Sequence, residues 1–501
     1  MRRKILALTV LPLLLAGCKS SEQTSSSEPV NTSSAEVETG PIIKEKTTIE
    51  LWSITGQNNQ AQLQSYVDEF MRKEPNVTVI NKIQTGMGYN ELKSAVVDGF
   101  PTNNYPDIVQ CYPDHVAEYI DYGKAVNLDP YIENKEYGWT DEDKSDLIDT
   151  FIQEGKEYTV EGTYSVPYCK STEAMYYNKE VLVGLDLSAY DPTINDGNAL
   201  STSYLENLTW EELFGKLCPA IIAKNDDLPT NQKILKNDDK HHAVFAYDSD
   251  DNLFITLAEQ YGIGYTSVDK ATGKGRFNFG EGKDKEDMIE LLTKWRGYAE
   301  KGYIISKGSA ENNYTNAYFN TQNVLFSVGS TGGYKYQFAD SNPMDVGVAP
   351  IPHAEGKDLH IINQGPSLTI LEHGDENRKL ASWLLYTTIT NKDNALDWAI
   401  NSGYMGIRKS VRDDEEFQAA SSERGQTVKT IDMLLARNLS YCIRQDVLDS
   451  LFVSPAFVGS STARTQVAGI MTKVLTPSSG DISGIDGWFT EAYNQCLLAL
   501  K

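Results

Sequence analysis

The amino-acid sequence predicts an α/β protein that folds into at least two lobes. From residue 47 onward, short strand-like segments alternate with segments of helical periodicity, the pattern of a sheet with right-handed crossovers. The chain has 501 residues. Roughly 455 of them follow residues 1–46, which is more than a single hydrophobic core usually serves. No later segment has 18 consecutive apolar residues, so no membrane span is predicted in this body.

The first strand and helix of the body are the clearest elements. Residues 47–52 alternate between apolar and polar side chains, which predicts a strand with Ile49 and Leu51 on one face. Residues 60–73 carry apolar side chains at the spacing of one helix face. These are Leu63, Tyr66, Val67, Phe70 and Met71.

Two further strands follow, over residues 77–80 and 107–109, with a helix over residues 90–98 between them. In α/β sheets of this kind, ligands bind outside the carboxyl ends of the strands. The order of elements therefore points to three loops, those after Trp52, Ile80 and Val109.

Later helices have recognisable starts. Thr209 stands three residues before Glu212, the spacing of a capping box. Thr390 or Asn391 is predicted to cap a helix that runs to about residue 401 and stops near Gly403.

The N-terminus has the features of an export signal. A basic segment at residues 2–4 precedes a largely apolar segment of eleven residues, 5–15, which is too short to cross a bilayer. The following Leu-Ala-Gly-Cys at residues 15–18 resembles a bacterial lipobox, which implies cleavage after residue 17 and a lipid on Cys18. Residues 18–46 are rich in Ser, Thr, Glu and Pro, so they are predicted to form a disordered tether to the membrane.

Charge and cysteine content exclude several classes of function. The formal charge of −25 becomes −28 without residues 1–17, so nucleic acid is not an expected partner. None of the five cysteines after Cys18 forms a CxxC pair, and buried free thiols are expected, although Cys111 and Cys169 could lie close together. No metal site and no cofactor are predicted.

Catalytic motifs are missing as well: the sequence contains no HExxH, GxSxG or Walker A segment. What stands out instead is the set of aromatic residues near predicted strand ends, namely Trp52, Tyr112, Tyr168, Tyr334 and Tyr404. Their apolar faces and polar tips suit the CH-rich faces and hydroxyl rim of a sugar, although core packing explains any single one equally well.

Taken in order, several segments resemble the bacterial extracellular solute-binding proteins of the maltose-binding type. The opening TIELW at residues 48–52 and PNVTV at 75–79 match the start of that family, and PDIV at 106–109 matches its next strand. The most specific match is YSVPYCKSTE at 164–173 running into YYNK at 176–179. Segments 209–213, 346–352 and 403–408 complete the order. Asn363-Gln364-Gly365 departs from a glycine pair common in the family.

The resemblance implies a two-lobe periplasmic-binding-protein-like (type II) fold with a hinge of crossing strands and a cleft between the lobes. It divides the chain into residues 47–168 and 355–402 for lobe I and residues 169–354 and 403–501 for lobe II.

The resemblance also implies a set of ligand contacts. They are Trp52, Thr55, Gly56, Gln110, Tyr112 and Asp114 from one lobe; Lys170, Ser171 and Glu173 at the first crossing; Ser330, Thr331, Gly332, Gly333 and Tyr334 from the other lobe; and Tyr404 and Arg408 near the last crossing. The adjacent glycines Gly332 and Gly333 suggest close approach of the backbone to a ligand, or simply a tight turn.

The resulting hypothesis is a monomeric, non-enzymatic binding lipoprotein of an ABC importer on the extracytoplasmic face of the cell membrane. It would deliver a sugar or oligosaccharide to permease subunits that work with a separate ATPase. The alternatives are capture of a polyol phosphate such as glycerol 3-phosphate, with Lys170 and Arg408 as cations, a surface glycosidase, and a purely adhesive protein.

Overall fold

Two five-stranded mixed sheets organise the chain that the computed structural model describes, which comprises residues 40–236, 243–269 and 271–500. The strands are β1 (Thr47–Ser53), β2 (Val77–Ile83), β3 (Ile108–Cys111), β4 (Val166–Pro167), β5 (Glu173–Asn178), β6 (Phe245–Tyr247), β7 (Ser267–Asp269), β8 (Lys274–Arg276), β9 (Ile304–Ser306), β10 (Phe326–Ser330), β11 (Val346–Ala349), β12 (Ile361–Ile362), β13 (Ser367–Ile370) and β14 (Leu451–Phe452).

The first sheet has the order β2-β1-β3-β13-β4, and lobe I is the part of the chain built around it. In this sheet β1 runs parallel to β2 and β3, whereas β13 is antiparallel to β3 and β4. The second sheet has the order β11-β5-β10-β6-β9, and lobe II surrounds it. A short parallel pair, β12 with β14, and an antiparallel hairpin, β7 with β8, accompany the two sheets.

Helices cover both sheets. They are α1 (Gln60–Lys73), α2 (Tyr89–Gly99), α3 (Pro113–Asp121), α4 (Asp129–Ile132), α5 (Asp141–Asp146), α6 (Asp149–Glu154), α7 (Lys179–Leu182), α8 (Thr202–Leu205), α9 (Trp210–Glu212), α10 (Cys218–Asp227), α11 (Asp250–Tyr261), α12 (Gly282–Glu300), α13 (Asn316–Asn320), α14 (Glu376–Ile389), α15 (Lys392–Ser402), α16 (Lys409–Arg412), α17 (Glu415–Ala420), α18 (Ile431–Cys442), α19 (Gln445–Asp449), α20 (Ser460–Leu475) and α21 (Ile485–Ala499). No helix within the described ranges is long and apolar enough to cross a membrane.

The strand and helix predictions for the start of the body are confirmed. Helix α1 has the predicted bounds and buries Leu63, Tyr66, Val67 and Phe70. Strands β1 to β3 and helix α2 agree with the predicted elements to within two or three residues at each end. These elements depend on periodicity within one segment, which the sequence displays directly.

The predicted helix starts are also present, one of them in part. The Asn391 side chain accepts a hydrogen bond from the Asn394 amide at 2.8 Å, and α15 ends at Gly403 in the left-handed region, with φ of 76°. The Thr209 hydroxyl accepts from the Glu212 amide at 3.1 Å. The reciprocal bond of a capping box, from the Thr209 amide to the Glu212 side chain, is not formed among the described residues. The side chain of the neighbouring Glu211 accepts from the Tyr261 hydroxyl and the Glu355 amide.

The segments that connect the two sheets lie side by side: the first connection runs between β4 and β5, the second between β11 and β13, and the third follows α15. Ser171, between β4 and β5, exchanges both backbone hydrogen bonds with Gln364, between β11 and β13, at 2.9 and 3.0 Å. The Met405 amide, just after α15, donates to the Lys170 carbonyl at 2.7 Å. The connections are therefore held together as one hydrogen-bonded hinge region.

The five cysteines of the described residues are buried free thiols: Cys111, Cys169, Cys218, Cys442 and Cys496. Cys18, together with the predicted signal peptide and nearly all of the predicted tether, lies outside the described residues.

Candidate functional site

A cleft of about 600 Å³ lies between the two lobes. Lobe I contributes the N-terminal ends of α2 and α3 and the last residue of α6, and lobe II contributes the N-terminal ends of α11 and α20. Residues 362–364 of the second connection form part of its wall. The cleft volume falls within the range of about 300–1,000 Å³ typical of small-molecule sites.

The lobe I wall is aromatic and acidic. The rings of Tyr89 and Tyr112 meet edge to face with centroids 4.6 Å apart, and the Asp114 carboxylate follows Tyr112 by two residues. His115 is buried, and its Nε2 lies 3.3 Å from Asn90 Oδ1. Burial lowers the pKa of His115, with Asp114 acting in the opposite direction. This wall thus combines ring faces with hydrogen-bond acceptors.

The lobe II wall carries a guanidinium held by two residues of α11. Arg464 Nη2 lies 2.9 Å from Asp251 Oδ2 and also donates to Asn252 Oδ1. Burial opposes the charge of Arg464, but the carboxylates of Asp251 and Asp114 keep its pKa above the ordinary value. Arg464 is therefore a positioned cation on the wall opposite Asp114.

Behind Asn252 is a fully buried carboxyl group. Asn252 Nδ2 donates to Glu173 Oε1 and to Gln364 Oε1, both at 3.0 Å, and the Tyr247 hydroxyl donates to Glu173 Oε2. Burial raises the pKa of Glu173 to about 7, although both hydrogen bonds favour the charged form. The lobe II wall is thereby linked through one amide side chain to the second connection.

The floor of the cleft contains a buried ion pair. Lys170 Nζ lies 2.6 Å from Glu154 Oε2 and 2.8 Å from the Gly365 carbonyl oxygen. Glu154 also accepts from Asn363 Nδ2 at 2.9 Å and from the Ser367 hydroxyl at 3.1 Å. All the polar atoms of this pair are occupied within the protein, so the pair supports the hinge region.

Some buried oxygens on residues of the cleft wall have no hydrogen-bond partner within the described part of the chain. They are Tyr265 OH, Thr266 Oγ1 and Asn363 Oδ1. The amide group of Asn363 is oriented by its bond to Glu154, which leaves its oxygen unpaired. Buried polar atoms are normally satisfied, so these oxygens mark positions where a bound solute or water would supply the missing donors.

The structure distributes the sequence-predicted ligand contacts over three environments. Tyr112 and Asp114 line the cleft directly. Gln110, Lys170, Ser171 and Glu173 lie beneath it and contact residues of its wall: Gln110 donates to the Tyr89 hydroxyl at 3.4 Å, and the other three bond Glu154, Gln364 and Asn252 as described above. These four residues therefore hold the side chains of the cleft wall in position.

The other predicted contacts lie away from the wall of this cleft. Trp52 donates from its indole to Glu50 at 3.0 Å, and the Thr55 hydroxyl bonds Ser53, next to the exposed Gly56. Ser330 donates to the Ser171 hydroxyl at 3.3 Å, and the Thr331 hydroxyl accepts from the Thr172 amide.

Gly332 and Gly333 lie in the first turn of a 3-10 helix, Thr331–Gln337, that packs against the third connection. A Cβ atom on Gly332 would meet the Tyr404 ring at 2.5 Å, so a close aromatic contact within the protein requires this glycine. Tyr334 packs in the same way against Gly403. Arg408 lies in a separate depression, bonded to Asp143 at 2.9 Å, Asp146 at 3.3 Å and the Thr390 carbonyl at 2.8 Å.

Sequence reasoning missed much of the wall, chiefly Tyr89, Glu154, Asp251, Asn252 and Arg464. The rule that ligands bind beyond strand ends had indicated the loops after Ile80 and Val109, and Tyr89 and Tyr112 do stand at the helix starts that follow. The lobe II residues begin helices whose positions next to the cleft depend on contacts distant in sequence. No group of three or more His, Cys, Asp or Glu side chains suited to a metal occurs in the described ranges.

Two lobes with a lined cleft between them are the architecture of a protein that takes up a small molecule between its domains. Residues 65–422 match the sequence profile described as Bacterial extracellular solute-binding protein. The match covers well over half of the chain, and the chain belongs to this bacterial extracellular solute-binding protein family. The resemblance inferred from the sequence motifs is thus confirmed. No protein among curated sequences matches the chain.

Solved structures with the same fold span nearly the whole chain. The GacH receptor of Streptomyces glaucescens GLA.O, solved unliganded and with acarbose, aligns with a TM-score of 0.64 and 16% identity over 91% of this chain and 100% of that one. UgpB from Mycobacterium tuberculosis in complex with glycerophosphocholine aligns with a TM-score of 0.65 and 18% identity, over 92% of this chain and 98% of that one. The MalE domain from Bdellovibrio bacteriovorus bound to maltotriose aligns with a TM-score of 0.61 and 15% identity, over 90% of this chain and 100% of that one. At these identities the similarity establishes the two-lobe periplasmic-binding-protein-like fold.

Proposed function

We propose that this protein is the substrate-binding subunit of an ABC importer and captures a sugar or oligosaccharide in the cleft between its lobes. The observation that carries the proposal is the lobe I wall, where the rings of Tyr89 and Tyr112 stand beside the Asp114 carboxylate. Ring faces bind the CH groups of a sugar, while carboxylate and hydroxyl oxygens bind its hydroxyls. The maltotriose and acarbose complexes of proteins with the same fold support this assignment.

In this proposal the two lobes close on the solute about the hinge region, with residues 47–168 and 355–402 moving as lobe I and residues 169–354 and 403–501 as lobe II. Tyr112 and Asp114 contact the ligand first. The other residues named from the resemblance, including Trp52, the 330–334 segment and Tyr404, extend the site only if closure brings them to the solute.

The second candidate is a polyol phosphate, and the glycerophosphocholine complex of UgpB is the observation that favours it. The two cations proposed for it are engaged elsewhere. Lys170 is bound to Glu154 and Arg408 to Asp143 and Asp146, so both cations already have carboxylate partners, and neither lines the cleft. Arg464 is the remaining cation on the cleft wall within the described residues, and Asp251 already pairs with it. A phosphate needs several convergent donors, so the sugar is the better candidate.

A thermal-shift screen followed by calorimetry tests the proposal. A carbohydrate panel should contain a ligand that stabilises the protein by about 2.7 kcal/mol at 100 times its Kd. Tyr112→Ala should then weaken binding about tenfold or more. Tyr122→Ala, at the exposed end of the same helix, is the matched control and should bind as the wild type does. Tyr334→Ala tests whether the site extends to residues 330–334, because weaker binding by this variant would mean that it does. Failure of every carbohydrate, with tight binding of glycerol 3-phosphate, would establish the second candidate.

The remaining parts of the proposal concern the setting of the protein. A lipid on Cys18 would anchor it to the extracytoplasmic face of the cell membrane, with residues 18–46 as a flexible tether, and permease subunits with a separate ATPase would be its partners. It would act as a monomer without catalysis. Incubation with the identified oligosaccharide should therefore leave the sugar intact by chromatography.

A further inference from the structure

Charged side chains on the cleft wall are mostly acidic. Glu91, Asp114, Glu154 and Asp251 line the cleft, and Arg464 is the one guanidinium opposite them within the described residues. Two of these carboxylates have a cation of their own, since Glu154 is bound to Lys170 and Asp251 to Arg464. The remaining two, Glu91 and Asp114, both belong to lobe I.

No lysine or arginine of the described residues lies within ion-pair distance of Asp114, although Arg464 on the opposite wall is near enough for this carboxylate to help raise its pKa. The closest basic neighbour of Asp114 is His115, with Nε2 3.9 Å from Asp114 Oδ1, and the Asp114 side chain is 14% exposed. Burial lowers the pKa of His115, which favours the neutral imidazole, so His115 offsets the carboxylate less than a lysine or arginine would. Glu91, in the first turn of α2, is exposed at the edge of the cleft.

The same wall carries two tyrosine rings, and aromatic rings can bind a cation. Residues 89–91 read Tyr-Asn-Glu and residues 112–114 read Tyr-Pro-Asp, so each tyrosine precedes a carboxylate by two positions at a helix start. Helix N-termini favour acidic residues, which accounts for the carboxylates by themselves. This preference does not account for the two adjoining tyrosine rings, and the faces of such rings attract ammonium groups.

Two independent features point to a ligand of this kind. Tyr265 lines the cleft at 9% exposure, and its hydroxyl has no hydrogen-bond partner in the described part of the chain. The sequence as a whole has a formal charge of −25, which raises the local concentration of cations and slows the approach of anions.

We propose that the solute is a polyhydroxylated ammonium compound, with the amino-sugar class as its simplest example, whose cationic nitrogen binds Asp114 beside the rings of Tyr89 and Tyr112. This inference rests on the proposed function and adds the charge of the ligand to it. The hydroxyls of the solute would reach the Tyr265 hydroxyl and the Asn363 oxygen on the remaining wall.

The test compares a positively charged disaccharide with two uncharged disaccharides and an anionic polyol phosphate. Calorimetry at pH 7 would measure the glucosamine disaccharide, its uncharged N-acetyl form, maltose and glycerol 3-phosphate, at low salt and again at 0.5 M NaCl. We expect the charged disaccharide to bind about tenfold or more tightly than either neutral one, and to lose most of that advantage at high salt.

Variants then locate the charge recognition. Asp114→Asn should weaken binding of the charged disaccharide about thirtyfold or more, and binding of maltose about threefold or less. Asp121→Asn, at the exposed end of the same helix, removes an equal charge and should change neither.

If the neutral disaccharides bind as tightly as the charged one, or if Asp114→Asn affects both alike, the inference is overturned and the sugar-binding function stands. If nothing in this panel binds and the carbohydrate screen described above also finds no ligand, both fail.

Discussion

Lys170 and Glu154 form an ion pair with an Nζ–Oε2 distance of 2.6 Å, and their side chains are 0% and 3% exposed. Glu154 ends α6 in lobe I, Lys170 lies between β4 and β5, and Gly365, whose carbonyl accepts from the same ammonium, lies between β11 and β13. The Lys170 ammonium, in the first connection, is thus bonded both to lobe I and to the second connection between the sheets. Because Glu154 also lines the cleft, the ion pair physically links the hinge region to the ligand site.

Lys170→Met should lower the free energy of unfolding by about 3–5 kcal/mol, because it leaves the Glu154 carboxylate buried without a counter-charge. Urea denaturation measures the change. Adding Glu154→Gln to the variant should recover part of the loss, since the unpaired charge is then removed. Lys144→Met is the control, because the Lys144–Glu133 pair is solvent-exposed and such pairs contribute about 0–1 kcal/mol. Equal losses in the two lysine variants would contradict the role given to the buried pair.

Glu173 should make the folded state less stable as the pH rises. Its pKa is about 7 in the fold against an ordinary value of 4.5, so the folded state holds the proton more tightly than the unfolded state. The stabilisation is complete below pH 4.5 and is lost as the pH rises to about 7, by about 3 kcal/mol in total.

Glu173→Gln should remove this slope, as measured by chemical denaturation at a series of pH values. Asp248→Asn provides a comparison, because burial raises the pKa of Asp248 to about 6 from 3.8. That variant should keep the decline between pH 6 and 7 that Glu173 causes. A Glu173→Gln curve parallel to that of the wild type over this range would rule out the proposed titration.

Thr209→Ala should destabilise the protein by about 1 kcal/mol, because the Glu212 amide loses its acceptor at a helix start. Thr209 is outside the cleft wall, so ligand affinity should be unchanged by calorimetry. Thr209→Ser keeps the hydroxyl and should retain most of the stability. A large loss of affinity with intact stability would mean that this segment reaches the ligand.

Cys18→Ser should release the protein from membranes into the medium or periplasm, because the serine hydroxyl cannot carry the thioether-linked lipid that the lipobox implies. Fractionation followed by immunoblotting measures the distribution. Cys442→Ser changes a buried thiol of the body and should stay with the membrane. Equal membrane retention of the Cys18 variant would exclude this mode of anchoring.

Local patterns in the sequence were sufficient for the elements that open the body. The apolar residues of α1 recur at a spacing that one helix face requires, and Asn391 and Gly403 delimit α15 by hydrogen-bonding and φ preferences of single residues. The family, and through it the two-lobe fold, followed from short motifs in a fixed order. These features need no information about distant contacts.

The composition of the cleft depended on the tertiary structure. Tyr89, Asp251 and Arg464 are each more than 150 residues apart in the sequence, and they share a cleft because the chain crosses between the sheets and returns. Likewise, the motif around Lys170 marks a connection, but the direction of its ammonium depends on the carboxylate that α6 brings to it. Periodicity and capping act over a few residues, whereas the burial and pairing of charges depend on which distant side chains share a low-dielectric space.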